Sequence, residues 1–284
     1  MTVVDIQASS ARQVGRTVLL IALAVVLIYP VAWLIGSSVK SPNEIIGNLS
    51  VIPEDITWSN YVHGWTGLPS ATFGTFFLNS TLIAVATVVA NTVSCALTAY
   101  AFARLRFPLR GWWFSVMICT LLLPSHVLIV PQYALFRWLG WVNTPLPLIV
   151  PKLLATEAFF VFLMVQFIRG IPRDLDEAAK VDGCSPYTVF LNVIMPLSRP
   201  ALVTTAILSF IWTWNDFLTQ LIYLPDVDRQ TAPIGLSAFV VSGGETALGP
   251  LFAMSVLSLL PVLLFFVGFQ RLLSSAIQPA RLRR

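Results

Sequence analysis

Four carboxylates fall within nine positions, at Asp174, Asp176, Glu177 and Asp182, in a 284-residue chain that has thirteen acidic side chains and is 11% charged. Among and after them stand Ala178, Ala179, Lys180, Gly183 and the pair Ser185-Pro186. Charge this concentrated, interleaved with small residues, suits insertion into a cleft on another protein. The competing chemistries are poorly supplied. His63 and His126 have no second ligand at metal spacing, so no metal site is expected. Cys95, Cys119 and Cys184 suggest no pair. The phosphate-cradling pattern G-x-x-x-x-G-K-[ST] is absent, as are G-x-S-x-G and H-E-x-x-H. Scattered Ser, Asp and His residues form no triad by spacing. No catalytic residue is expected.

A second set of polar side chains lies within apolar runs: Asn79, Asn91, Glu157 and the cluster Trp212, Trp214, Asn215, Asp216. In hydrocarbon an ionisable group is costly and marks function by default, and interhelical hydrogen bonding is the structural alternative. Aromatic rings and amides suit a sugar, so Asn79, Trp212, Trp214, Asn215 and Asp216 are candidates for a solute pathway, with structural packing or gating the favoured alternative for the Trp212–Asp216 cluster. Asp216 lies ~22 Å along its run at 1.5 Å per residue, toward the outer face. His126 reads as a packed or pore-lining residue.

Positioning these groups falls to a membrane. The chain is 57% hydrophobic and 12% aromatic, with a mean hydropathy of +0.81, the composition of a polytopic membrane protein. Six apolar runs are expected to span, at about 17–39, 76–103, 112–131, 148–168, 201–224 and 251–271. Pro124 and Pro131 are expected to kink or end the third. The first is too long for a signal-peptide core and reads as a retained span. Thirteen of the seventeen Lys and Arg residues fall on one side of that topology and four on the other. Both termini and the 172–196 loop are therefore expected in the cytoplasm. Basic residues spaced between apolar runs set topology and do not mark nucleic-acid binding. One domain over residues 1–284 is expected, all-α.

Within the loop, Pro172 ends the fourth run. Asp174 is placed to cap a helix whose first turn holds Asp176 and Glu177, favourable to the helix dipole. Ala178, Ala179 and Val181 form a small apolar patch. Gly183 closes the helix with positive φ. Ser185 caps a second helix with Pro186 at its first position. Tyr187, Phe190, Leu191 and Ile194 form that helix's apolar face, and Pro196 ends it.

These residues resemble the EAA loop of bacterial ABC-importer permeases: EAA, three residues, Gly, nine residues, then I-x-L-P. Here the pattern reads Glu177-Ala178-Ala179, Gly183 and Val193-Ile194-Met195-Pro196. Further stretches resemble the carbohydrate-importer branch, which includes the smaller membrane subunit of the maltose transporter. They are Phe77-Leu78-Asn79-Ser80, Ala99-Tyr100-Ala101-Phe102-Ala103-Arg104, Asp182-Gly183-Cys184-Ser185-Pro186 and Trp214-Asn215-Asp216-Phe217. The resemblance covers Thr17 to about Leu273. It fails at Ser274–Pro279, where that branch has a Gly-rich tail.

The resemblance implies the MetI-like fold of type I ABC-importer permeases, in a bacterial inner membrane. It implies a heterodimer with a second permease, two ATPase subunits that hold ATP and Mg, and an extracytoplasmic solute-binding protein. Glu177, Ala178, Ala179, Asp182, Gly183, Ser185 and Pro186 would couple to the ATPase, with Glu177 facing a basic residue there. The solute would be a sugar, a sugar-like polyol or a phosphate. Other readings are import of another polar solute, a stand-alone secondary transporter, which would rely on intramembrane charge and inverted repeats, and a membrane enzyme.

Overall fold

The apolar runs fold as helices, which satisfy their own backbone hydrogen bonds without water, throughout the computed structural model, and no strand occurs among the described residues. These are residues 3–68, 71–242 and 247–277, with side chains for all but 3–12, 125, 242 and 270–277. Arg281, Arg283 and Arg284 of the basic tail and Gln278–Pro279 of the Ser274–Pro279 departure lie outside this set.

In chain order the helices are α1 (Val3–Ser37), α2 (Pro42–Gly47), α3 (Ser59–Thr66), α4 (Phe73–Arg104) and α5 (Arg110–Thr120). Then come α6 (Ile129–Trp138), α7 (Leu146–Leu153), α8 (Ala158–Gly170), α9 (Asp174–Val181) and α10 (Pro186–Val189). Last are α11 (Met195–Leu197), α12 (Arg199–Asn215), α13 (Leu218–Tyr223), α14 (Ala232–Ser242) and α15 (Leu248–Ile277). Four stretches are long and apolar enough to cross a membrane: Gln13–Ser37, Phe73–Arg104, Leu146–Gly170 and Leu248–Phe269. A fifth is reached if the bent pair Pro186–Leu197 and Arg199–Asn215 counts as one span; the two parts meet at 76°.

The run expected at 112–131 is not continuous. α5 stops at Thr120, a turn follows, and a 3-10 turn at Ser125–Leu128 leads into α6. Pro124 explains the break, because it has no amide hydrogen and forces its predecessor out of the helical region. Pro131 falls in the first turn of α6, where its missing donor costs nothing. Leu146–Gly170 is also interrupted, at Leu154–Glu157, where Ala155 takes φ +53°.

Contacts divide the chain into two compact units. The first takes the described residues up to Phe73 with Leu236–Ser258. Its 38–66 loop is organised by two buried polar groups. The Lys40 side chain is fully buried, its Nζ donates to the Ser50 carbonyl at 2.6 Å, and it lies 3.6 Å from Glu44 Oε1. The Asn60 amide donates to the carbonyls of Ser38 (3.1 Å) and Lys40 (2.8 Å). Burying an ammonium is tolerable only with such partners, so this loop has a fixed shape.

The second unit takes Gly74–Gly235 with the described residues from Leu259 on. Its main core joins one end of α4 (Cys95, Ala96, Ala99, Tyr100, Ala103) to α8 (Phe160, Val161, Met164, Val165, Ile168) and to Val189, Phe190, Ile194 and Ala201. Alanines on α4 let these helices approach closely, the usual packing where lipid removes the hydrophobic drive between helices. A smaller cluster stacks Phe210 on Phe265 at 4.3 Å and seats Trp214 beside Phe77.

Candidate functional site

Two places in the second unit bring the chemistry-bearing residues together. The first is the loop between α8 and α12. α8 ends at Gly170, just before Pro172. Arg173 then occupies the N-cap of α9 without a side-chain hydrogen bond, and Asp174, expected as the cap, is the first helical residue. The Arg173 carbonyl already accepts from the amides of Asp176 (2.9 Å) and Glu177 (3.1 Å), so the helix starts one position early. Asp174, Asp176 and Glu177 still share the first turn, at the positive end of the dipole.

α9 closes on Gly183 at φ +79°, with its amide on the Lys180 carbonyl at 3.0 Å. Ser185 Oγ accepts from the Thr188 amide at 3.2 Å, and Pro186 opens α10. The apolar face expected for that helix divides: Val189, Phe190 and Ile194 are buried, whereas Tyr187 and Leu191 are exposed. Nor does Pro196 end it. A π turn at Phe190–Ile194 carries the chain through Pro196 to Leu197, so the stop falls at Ser198.

A Cβ at Gly183 would meet nothing within 4 Å, so the demand there is conformational and not one of space. Asn tolerates positive φ and β-branched Val does not, a difference of about 1–2 kcal/mol. Gly183→Asn is therefore expected to unfold near the wild-type temperature and Gly183→Val measurably below it. Equal thermal midpoints would show that the turn makes no such demand.

One face of this loop is held against α4. Arg104 Nε lies 3.0 Å from Asp176 Oδ2, in side chains only 4% and 11% exposed. The contact is an ion pair, not an aligned hydrogen bond. Arg104 Nη2 donates to the Ile171 carbonyl at 2.7 Å, and the Tyr100 hydroxyl donates to the Pro186 carbonyl at 2.9 Å. The opposite face is free: Glu177, Ala178, Lys180, Val181 and Asp182 are exposed, Val181 at 88%.

The second place is a cavity of about 1070 Å³ on which three helix interruptions converge. They are the Leu121–Pro124 turn after α5, the Leu154–Glu157 break between α7 and α8, and Asp216–Phe217 between α12 and α13. Unwound backbone at membrane depth is tolerated where it is buried in protein or lines a polar space. Lys152 Nζ donates to Glu157 Oε1 across the middle break, and Ser94 Oγ donates to the Lys152 carbonyl at 2.5 Å. Asp216 Oδ1 accepts from the Thr219 amide at 3.1 Å, capping α13. Trp212 is 48% exposed, with its ring against Phe159 and Phe160. A wall of one indole, several amides and hydroxyls, and a neutralised ion pair can receive a small polar solute.

The family model described as "Binding-protein-dependent transport system inner membrane component" matches residues 93–279, which include this whole loop and the cavity wall. The chain belongs to that family. It is thus a multi-pass inner-membrane permease, and its relatives are transport-system permeases by name. The diacetylchitobiose uptake system permease protein NgcG of Streptomyces coelicolor is 32% identical over 266 residues, covering 93% of this chain and 87% of that one. The arabinooligosaccharides transport system permease protein AraQ of Halalkalibacterium halodurans is 32% identical over 252 residues, covering 88% of each. A chain in the crystal structure of a bacterial ABC transporter involved in the import of the acidic polysaccharide alginate superposes with a TM-score of 0.81. It is 22% identical, with 93% of this chain and 97% of that chain covered, and shares the fold.

In this permease the seven loop residues singled out by sequence, Glu177, Ala178, Ala179, Asp182, Gly183, Ser185 and Pro186, form one helix–turn–helix. Of the pathway candidates, Trp212, Asn215 and Asp216 line the cavity. His126 does too. Trp214 is 3% exposed in the aromatic cluster, and the Asn79 amide clamps the carbonyls of Asp228 (2.8 Å) and Gln230 (2.9 Å). Asn91 donates to Ser209 Oγ at 3.2 Å between helices. Sequence reading missed the Arg104–Asp176 and Lys152–Glu157 pairs. A signal existed for the second: charges five apart lie ~140° around an intact helix and cannot meet. Their pairing requires the break that Pro151 and Thr156 accompany.

Proposed function

We propose that this permease is one transmembrane subunit of an ATP-driven importer and supplies half of the pathway for a sugar or sugar-like solute. An extracytoplasmic binding protein delivers the solute, and a second permease completes the pathway as a heterodimer. Two ATPase subunits hold ATP and Mg and dock on the 172–196 loop. The chain forms one permease domain of six spans. Both termini are cytoplasmic, a placement supported by the thirteen-to-four division of its basic residues. α5 with α6 makes the third crossing, and α12 with α13 the fifth.

The observation that carries this reading is the two-faced α9. Asp176 is buried, and the next residue, Glu177, meets solvent beside exposed Ala178 and half-buried Ala179. A membrane chain without a nucleotide-cradling motif thus presents a rigid, small-sided, charged helix, the shape a groove on an ATPase accepts. The solute class is supported by the named substrates of the two relatives and by the cavity's single exposed indole among amides. The sequence alternative of a secondary transporter predicts drive by an ion gradient.

Uptake separates these readings. Bacteria lacking this chain are tested with labelled disaccharides, oligosaccharides and a phosphorylated polyol. One sugar should enter only when the chain is restored, and its entry should stop when ATP is depleted with the ion gradient intact. Entry that survives ATP depletion and collapses with a protonophore would overturn ATP drive. Restoration of the phosphorylated polyol alone would narrow the solute to the sugar-like polyols, and restoration of none of these solutes would overturn the sugar-like class.

A further inference from the structure

We propose that Arg104, Tyr100 and Asp176 latch the docking loop onto the end of α4, making α4 the span through which movement of that loop enters the membrane. The inference rests on the reading of the loop as the ATPase dock and adds what the loop pulls on.

The chain joins the loop to α8 and α12, and Val189, Phe190 and Ile194 also pack in the core that includes α8 and Ala201 of α12. The covalent joins are compliant, and the apolar contacts are not directional. Ile171-Pro172 is extended chain between α8 and α9, and the link to α12 passes a π turn and a 76° bend at Ser198. The ties to α4 are of another kind. Three points of the loop are fixed to one turn of one helix: Ile171 before α9, Asp176 within it and Pro186 after the Gly183 turn. Tyr100 and Arg104 are four residues apart, so they share a face of α4. The Tyr100 ring packs on Phe190 at 5.1 Å. Ala99 and Ala103 lie in the same buried cluster as Val189 and Ile194.

Burying an ion pair gains little stability over a well-packed apolar contact, because both charges lose their water. A buried guanidinium can, however, engage two groups at once. Here it pairs with the helix carboxylate and donates to the carbonyl of the chain entering the helix, so the two are held to the same point of α4. With Asp176 turned inward and Glu177 outward, a push on Glu177 is transmitted to α4 without first flexing a loop. Arg104 and Tyr100 are positioning residues: they touch neither solute nor nucleotide.

The test uses the reconstituted complex of both permeases, ATPase and binding protein in proteoliposomes, reading solute moved per ATP hydrolysed. Arg104→Gln is expected to keep the ATPase on purification while lowering that ratio about fivefold or more. Arg104→Lys, with the charge but not the fork, should fall between. Tyr100→Phe and Asp176→Asn change single atoms, and they decide the matter if Arg104→Gln fails to accumulate in the membrane; both should lower the ratio. An unchanged ratio in Arg104→Gln, or in both of the milder variants, would overturn the latch. Failure of the docking reading looks different: Glu177→Lys would then retain the ATPase on purification.

Discussion

Charge reversal at Glu177 is expected to abolish uptake and release the ATPase while leaving the permease folded in the membrane. Glu177 sits in the first turn of α9 with an exposed side chain, so its replacement removes no packing within the chain. Its neighbour Asp176, which does hold the helix to α4, is untouched. Truncating one member of a charge pair at a protein interface costs about 2–5 kcal/mol, much of it from the partner charge left buried and unpaired. At 1.4 kcal/mol per tenfold, even the low end weakens docking by about thirtyfold. Glu177→Ala should show this loss and Glu177→Lys a larger one, because a like charge then faces the partner. Uptake, ATPase co-purification and membrane abundance are measured on the same preparation. Wild-type uptake in Glu177→Lys would remove the loop from the coupling path.

Breaking the Lys152–Glu157 pair should have the largest effect on stability. The pair spans the Leu154–Glu157 interruption, with each side chain a little over one quarter exposed. Removing one partner of a fully buried pair costs about 3–5 kcal/mol because a bare charge is left behind. The cavity exposes part of this pair, so Lys152→Met or Glu157→Gln should each cost about 2–3 kcal/mol, toward the value for lost charged hydrogen bonds. The double substitution should cost clearly less than the two together, since no unpaired charge remains. Ser94 holds the Lys152 carbonyl independently of the ammonium, so the backbone break itself should survive. Thermal unfolding of the four proteins in one detergent decides the point. Strict additivity would mean that the two charges do not depend on each other.

What was legible in the sequence is what local chemistry decides. Pro172, Gly183 and Ser185-Pro186 act within four residues of themselves, so the turn and the second cap could be read directly. Asp174 was misassigned as the cap by one position because the residue before it already accepts the helix amides, a backbone preference that side-chain type does not report. The Arg104–Asp176 contact was invisible for another reason. Arg104 opens a run of three basic residues that satisfy the topology rule, and Asp176 belongs to an acidic cluster that satisfies the dipole rule. Each residue was explained where it stood, and only the fold joins them. The pathway cluster divided in the same way. Trp212 and Trp214 are neighbours of one type, but two positions on a helix differ by ~200° in direction. One therefore faces the cavity and the other the aromatic core.

The most direct measurement is photo-crosslinking from Val181, the 88%-exposed last residue of α9. A benzophenone amino acid placed there in the membrane-embedded importer should yield one main adduct. Its second component should be a protein carrying the G-x-x-x-x-G-K-[ST] motif that this chain lacks, and the adduct should disappear with Glu177→Lys. An adduct formed only with lipid, or one that Glu177→Lys leaves unchanged, would contradict ATPase docking at this loop.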